Sequence, residues 1–242
     1  MQVGMQGCSR MKRIGIMGGL GSETSAKFCV QVNKFVRSVT GVQPSLHLEN
    51  VPMSVQQELA LIRGDHAGSF PVLKDALVRL NKTDVDVIVI PCNSVHIFID
   101  ELRRLSKVPV MSITEEVARA CRCAGFRNVG ILATSTSIRQ CLHSDELQHV
   151  GIKSVIPSGQ EQGRVNQVIK NILDGCASAA DVSTLISIVH SLQKKGAEAV
   201  ILGCTDFQNI LSQKDVAVPL VDTLKVLEEK TIALILEDSS VC

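Results

Sequence analysis

Val87-Ile-Val-Ile-Pro-Cys-Asn-Ser94 is answered 112 positions later by Ala199-Val-Ile-Leu-Gly-Cys-Thr-Asp206. Each segment is a short β-branched run, then Pro or Gly, then a cysteine, then residues able to hydrogen-bond. Two further blocks echo in the same order. Arg13-Ile-Gly-Ile-Met-Gly-Gly-Leu-Gly-Ser22 aligns with Asn128-Val-Gly-Ile-Leu-Ala-Thr-Ser-Thr-Ser137 at an offset of 115, and Val108-Pro-Val-Met-Ser-Ile-Thr114 with Val218-Pro-Leu-Val-Asp-Thr-Leu224 at 110. Apolar strands match one another by composition alone, but shared order and near-constant spacing point to duplication. The chain carries one plan written twice.

Working outward, short hydrophobic runs at 13–17, 45–49, 85–91, 108–112, 128–132, 153–156, 199–202 and 219–221 alternate with amphipathic stretches at 24–39, 68–81, 97–105, 114–124, 161–173, 180–194 and 223–236. Near-continuous apolar strands separated by helices predict parallel sheets covered on both faces. The expected fold is therefore α/β, with two pseudo-symmetric lobes, each a parallel sheet flanked by helices. Each Val-Pro strand is followed by a helix, so each can hand the chain to the opposite lobe. That division gives 11–113 plus 220–242 to a first lobe carrying Cys92, and 114–219 to a second carrying Cys204. A small ligand belongs in the cleft between them.

Composition removes several function classes. The 242 residues carry a formal net charge of +1, and aromatics are 2%, all six of them Phe. A nucleic-acid partner wants a basic stripe and stacking platforms; neither is present, so none is expected. No apolar run reaches a membrane span, and no secretory signal precedes Ile14. Residues 1–10 read as an extension, with Met11 an equally good start. Nine cysteines, an odd number without regular spacing, suit free thiols in a reducing cytoplasm.

Ligands of open α/β sheets gather beyond the carboxyl ends of the strands, where Cys92 and Cys204 both fall. A helix start there would favour a thiolate and hold a carboxylate. The other seven cysteines read as small buried hydrophobes. A zinc site using Cys92 and His96 lacks the paired spacing such sites show, so no metal is expected. Two facing thiols suit racemisation: one thiolate removes a proton from a stereocentre, and the opposite thiol returns one to the other face. Backbone N–H groups and Asn, Ser and Thr side chains can stabilise the carbanion. No dinucleotide fingerprint or Schiff-base lysine stands out, so no cofactor is expected. Gly18-Gly19-Leu20-Gly21 reads as a close-approach loop on the cleft floor. A same-fold decarboxylase or isomerase of a small dicarboxylate stays open, as does a non-catalytic binding protein.

Ile14-Gly15-Ile16-Met17-Gly18-Gly19, Pro91-Cys92-Asn93-Ser94-Val95-His96 and Leu202-Gly203-Cys204-Thr205-Asp206, in that order, resemble the aspartate/glutamate racemase superfamily, and most its aspartate racemase branch. The similarity spans residues 11–236. The resemblance implies pyridoxal-free two-thiol catalysis on an amino acid, Cys92 and Cys204 as the catalytic pair, and a homodimer. It places Met17, Asn93, Ser94, Thr134 and Thr205 around the substrate's carboxylate and amino group. Ser94 replaces the usual Thr, and Asp206 the usual Glu. His96 either polarises Cys92 or plays a structural part. The side-chain carboxylate is where the chain departs: Gln57 falls where the family has Arg after Asn50-Val51-Pro52, and Leu173 where it has Lys. An unpaired buried carboxylate is unfavourable, so a neutral side chain hydrogen-bonded by Gln57 is expected as readily as aspartate.

Overall fold

The computed structural model describes residues 10–237. Most of the N-terminal extension, with Cys8, lies outside the described residues, as does Cys242. β1 (Ile14–Gly18), β2 (Leu46–Asn50) and β3 (Val87–Val89) form a parallel sheet in the order β2-β1-β3. β4 (Asn128–Leu132), β5 (Lys153–Val155), β6 (Ala199–Leu202) and β7 (Leu220–Asp222) form a second, in the order β5-β4-β6-β7. The echoing blocks thus hold equivalent places: β1 and β4 are central, and β3 and β6 lie beside them and lead to the cysteines. The fold is α/β, with two parallel sheets flanked by helices.

The helices are α1 (Ser22–Thr40), α2 (Val55–Arg63), α3 (His66–Leu80), α4 (Ile99–Leu105), α5 (Ile113–Cys123), α6 (Ser135–Arg139), α7 (Leu142–His149), α8 (Gly159–Leu173), α9 (Ala179–Lys194) and α10 (Thr223–Glu237). Their starts follow local chemistry. Ser54 with Gln57 and Ser158 with Glu161 form reciprocal capping boxes at α2 and α8, satisfying backbone N–H groups that the first turn leaves free. α1 buries Phe28, Val32 and Val36, one every turn, against the first sheet.

Two expectations need correction. The strand expected over 108–112 shrinks to one bridge between Ile88 and Val110. Pro109 has no N–H to give a ladder, and Ser112 already caps α5 by accepting from the Glu115 N–H. Residues 220–222, assigned from sequence to the first lobe, form β7 and pair with β6 of the second sheet.

α5 packs on α7 and α10, and α10 on α1 and α5. The helix that follows each copy's last strand therefore lies against the other copy. One apolar cluster runs through both, joining Ile14, Ile16 and Phe28 to Ile113 and Val117, to Val129 and Ile131, and to Leu224 and Leu227. The outer sheet faces have separate cores, around Leu77 and Ile88 in one copy and Leu192 and Val200 in the other. At about 25 cal/mol per Å² of apolar area, that shared layer fixes the relative placement of the sheets and of the loops at their carboxyl ends. No helix among the described residues is long and apolar enough to cross a membrane.

Candidate active site

Cys92 follows the end of β3, its N–H donating to Ile90 O at 2.8 Å. A 3₁₀ turn, Ser94–Phe98, comes next. Cys204 follows β6 in the same way and leads into the 3₁₀ turn Thr205–Asn209. Gly203 is required before it: a Cβ there would lie 2.9 Å from both Leu132 O and Ala133 Cβ. Both thiols line one cavity of about 240 Å³, together with Leu20, Met53, Leu61, Ile62, Ile169 and Leu173. Gly21, Ser22, Glu58, Thr134 and Asp206 complete the lining.

Buried hydrogen bonds tie the two loops together. Asn93, 2% exposed, donates from Nδ2 to Thr223 Oγ1 at 2.9 Å, and Thr223 donates to Leu202 O at 2.9 Å. The residue after one cysteine is thereby linked to the strand that presents the other. Between α1 and the Cys204 loop, Thr24 Oγ1 donates to Asp206 Oδ1 at 2.8 Å, and Lys27 Nζ to Asn209 Oδ1 at 3.1 Å. The glycine-rich loop brings α1 there. Gly19 has φ +87° and packs so closely on Val51 that no side chain fits, while Leu20 and Gly21 face the cavity.

The electrostatics reverse the sequence expectation. Each sulfur does accept backbone hydrogen bonds, Cys92 from Val95 and Ser94 and Cys204 from Asp206. Burial outweighs them. Desolvation first, with the Asp206 carboxylate adding to it, pushes Cys92 up to about 11 from 9.0. Cys204 is pushed up further still, by desolvation and then by Asp206. Its thiol lies 3.9 Å from Asp206 Oδ2. Both cysteines are therefore held as thiols at neutral pH, Cys92 the easier to ionise.

His96 has a structural place. Its Nδ1 donates to Cys92 O at 2.9 Å and its Nε2 accepts from the Ile113 N–H at 3.0 Å, so the ring is a neutral Nδ1–H tautomer. Desolvation lowers its pKa to about 4. Both nitrogens are committed to backbone, and neither reaches the thiol or is free for a metal.

Of the residues singled out from sequence, the structure brings Cys92, Cys204 and Thr134 to the cavity wall. Thr134 caps α6, with its Oγ1 bonded to the Ser137 N–H and hydroxyl. Met17 is fully buried in the first copy's outer core, and Thr205 is 5% exposed at the start of its turn. Ser94 offers its N–H to the Cys92 sulfur. Gln57 Oε1 accepts from the Ser54 N–H at 2.8 Å to close the α2 capping box; like Met17, Asn93, Ser94 and Thr205, it is not among the residues that line the cavity. The Ser54-to-Gln57 spacing carried that signal in the sequence. Sequence reasoning missed Glu58, Leu61 and Ile62, because α2 itself was not foreseen. The expectation of burial also fails for Cys123, Cys141 and Cys176, which are exposed at helix ends and in a loop.

Comparison with known proteins agrees with this layout. The model of the Asp/Glu/Hydantoin racemase family matches residues 17–231, a span containing both thiol loops. The "Broad specificity amino-acid racemase RacX" of Bacillus subtilis (strain 168) is 25% identical over 225 residues, covering 91% of this chain and 96% of that protein. The structure of an aspartate racemase homologue from Pyrococcus horikoshii OT3 superposes with a TM-score of 0.77 at 25% identity, covering 93% of this chain and 99% of that one. The Picrophilus torridus aspartate racemase shares the fold, with a TM-score of 0.75 at 21% identity over 94% of each chain. Matched across both halves of its duplicated plan, the chain belongs to the Asp/Glu/Hydantoin racemase family and is, as such, an isomerase.

Proposed function

We propose that this chain is a cofactor-independent amino-acid racemase in which Cys92 and Cys204 act on opposite faces of the substrate's α-carbon. The observation that carries the reading is that both thiols, from equivalent positions of the two copies, line one cavity. The substrate class is taken from the racemase family and from the similarity to RacX.

The first step breaks the Cα–H bond. One sulfur, as thiolate, takes the proton and becomes a thiol, leaving a carbanion at Cα. The opposite thiol then forms the new Cα–H bond from the other side and is left as the thiolate. Protons and charge balance, and the negative charge has crossed from one sulfur to the other. Asp206 and burial oppose a thiolate at either sulfur. A zwitterionic substrate supplies what is lacking: its ammonium, seated by Asp206, offsets that charge and makes ionisation of one thiol easier as the substrate binds, the proton passing to solvent before the site closes on Cα. The elevated thiols then become strong bases toward a weakly acidic α-hydrogen. Free cysteines suit a reducing compartment such as the cytoplasm.

A decarboxylase would need only one of the two thiols, so the paired arrangement favours racemisation. The test is a panel of D- and L-amino acids incubated with the purified protein and resolved by chiral chromatography. The antipode of at least one amino acid should appear, starting from either enantiomer. If none appears across the full panel, the reading is wrong.

A further inference from the structure

A second crevice, of about 290 Å³, lies next to the thiol cavity, and Ile62, Thr134 and Ile169 line both. Its other walls are Arg63, at the end of α2, and Ser135, Thr136, Arg139 and Asn166 of the second copy. No Asp or Glu is among them. The first and second copies are pinned together here. Thr136 Oγ1 donates to Ile62 O, and Gly64, at φ +75°, comes so close that a Cβ there would lie 2.9 Å from Thr136 Cγ2. Both arginines are exposed, and among the described residues neither makes an ion pair; Arg139 Nη2 donates to Thr136 Oγ1 at 3.2 Å. Ser135 and Asn166 hold each other in place. Asn166 Nδ2 donates to Ser135 Oγ at 2.7 Å, and its Oδ1 accepts from the Ser135 N–H at 3.3 Å. The Ser135 hydroxyl hydrogen and the second Nδ2 hydrogen remain to donate. Two guanidiniums, a hydroxyl and an amide therefore border one space, all of them donors.

We propose that this crevice binds a phosphate monoester, and that the bound anion acts as an effector of the thiol cavity. A phosphate group takes paired hydrogen bonds from both guanidiniums and further ones from Ser135 and Asn166. A lone carboxylate would leave part of that donor set unused. The crevice is at the lower limit of small-molecule sites in size, with room beyond the anion for an organic group against Ile62 and Ile169. Arg63 belongs to the first copy and Arg139 to the second, so a group held by both ties the end of α2 to α6. Ile62, Thr134 and Ile169 are then fixed where they wall the thiol cavity, and a substrate meets a site already formed. The anion reaches neither sulfur, so it acts on substrate binding and leaves the chemical step unchanged. Its effect on turnover rests on the racemase reading; its binding does not.

The binding test is thermal unfolding at constant ionic strength with glycerol 3-phosphate, inorganic phosphate, malonate or chloride. It compares wild type with Arg63→Gln, Arg139→Gln and, as a control, Arg122→Gln at the exposed end of α5. The Tm of wild type and of Arg122→Gln should rise with glycerol 3-phosphate concentration, more than with inorganic phosphate and far more than with malonate or chloride. Either crevice variant should lose most of that rise. The kinetic test follows racemisation of an amino acid that the protein turns over, with and without saturating glycerol 3-phosphate. KM should fall about fivefold or more at unchanged kcat in wild type, and stay put in both crevice variants. Malonate as effective as the monoester, or a Tm rise that survives both substitutions, overturns the site. A KM that ignores the bound monoester overturns the effector role. Crevice variants that change the KM of aspartate, while no protein responds to the monoester, return the arginines to the substrate and overturn the whole inference. Absence of turnover for every amino acid overturns the racemase reading and the effector role with it, while Tm still decides the site.

Discussion

Replacing Asp206 with asparagine isolates the electrostatic hold on Cys204. The sulfur lies 3.9 Å from Asp206 Oδ2. A carboxylate at that distance disfavours a thiolate by 332/(ε·r), about 1 kcal/mol in bulk water and about 4 kcal/mol at an effective dielectric near 20. At about 1.4 kcal/mol per pKa unit, removing the charge should lower the Cys204 pKa by roughly one to three units. Asparagine keeps Oδ1 to accept from Thr24, so the bond between α1 and the Cys204 loop survives. Cys92, which also feels Asp206 but more weakly than its own burial, should move the same way by less. The assay is the pH dependence of iodoacetamide alkylation, followed for each cysteine peptide by mass spectrometry. The midpoint is the quantity to read, because intrinsic nucleophilicity falls as the pKa falls and blurs absolute rates. A Cys204 midpoint that stays put or rises in Asp206→Asn refutes the assignment of Asp206 as the group suppressing the thiolate.

Two further predictions concern the scaffold. Burial lowers His96 to about 4 and His143 to about 3 from 6.5. Both folded values lie below the unfolded one, so the unfolded chain binds more protons. Their stabilisation is complete above pH 6.5 and is lost as pH falls through the window down to 4 for His96 and 3 for His143, at about 1.4 kcal/mol per pH unit for each ring. Glu228, raised to about 7 by burial and then by Asp222, works the opposite way over the same range, so the test compares variant with wild type. Between about pH 7 and pH 5.5, His143→Leu should lose about 1 kcal/mol less in urea unfolding than wild type does; a loss in the variant no smaller than in wild type would count against a neutral buried ring. Gly19→Ala places a Cβ 2.7 Å from Val51 N and 2.8 Å from Val51 O at φ +87°, and should lose about 2–4 kcal/mol through left-handed strain plus overpacking. Gly41→Ala, at φ +75° with open space around it, should lose only about 1–2 kcal/mol; equal losses at the two positions would show that the contact with Val51 is unimportant.

The parts legible in the sequence were those set by local pattern. The echoing strands are short apolar runs with fixed neighbours, and their repetition alone implied two equivalent cysteine loops. Where one residue type decides the outcome, the reading slipped. Pro109 withholds the N–H that a fourth strand in the first sheet needed, and so left a bridge. α2, nine residues between β2 and α3, was not read from the sequence. Its capping box was nonetheless present in Ser54 and Gln57, three residues apart. The thiol electrostatics were not legible at all. Flanking residues suggest a lowered pKa, but desolvation comes from Leu20, Ile62 and Ile169, distant in sequence and gathered only by the fold. His96 shows the same limit, since its partner Ile113 N–H lies 17 residues away.

The central claim is that two sulfurs serve one carbon, and proton NMR in heavy water tests it most directly. Wild type, given either enantiomer of a turned-over amino acid, should lose the α-proton signal and yield the antipode carrying deuterium at Cα. Cys92→Ser and Cys204→Ser, each shown folded by circular dichroism, should yield no antipode. Antipode formation at the wild-type rate in either variant would mean that a single thiol suffices, and the two-sided mechanism would be contradicted.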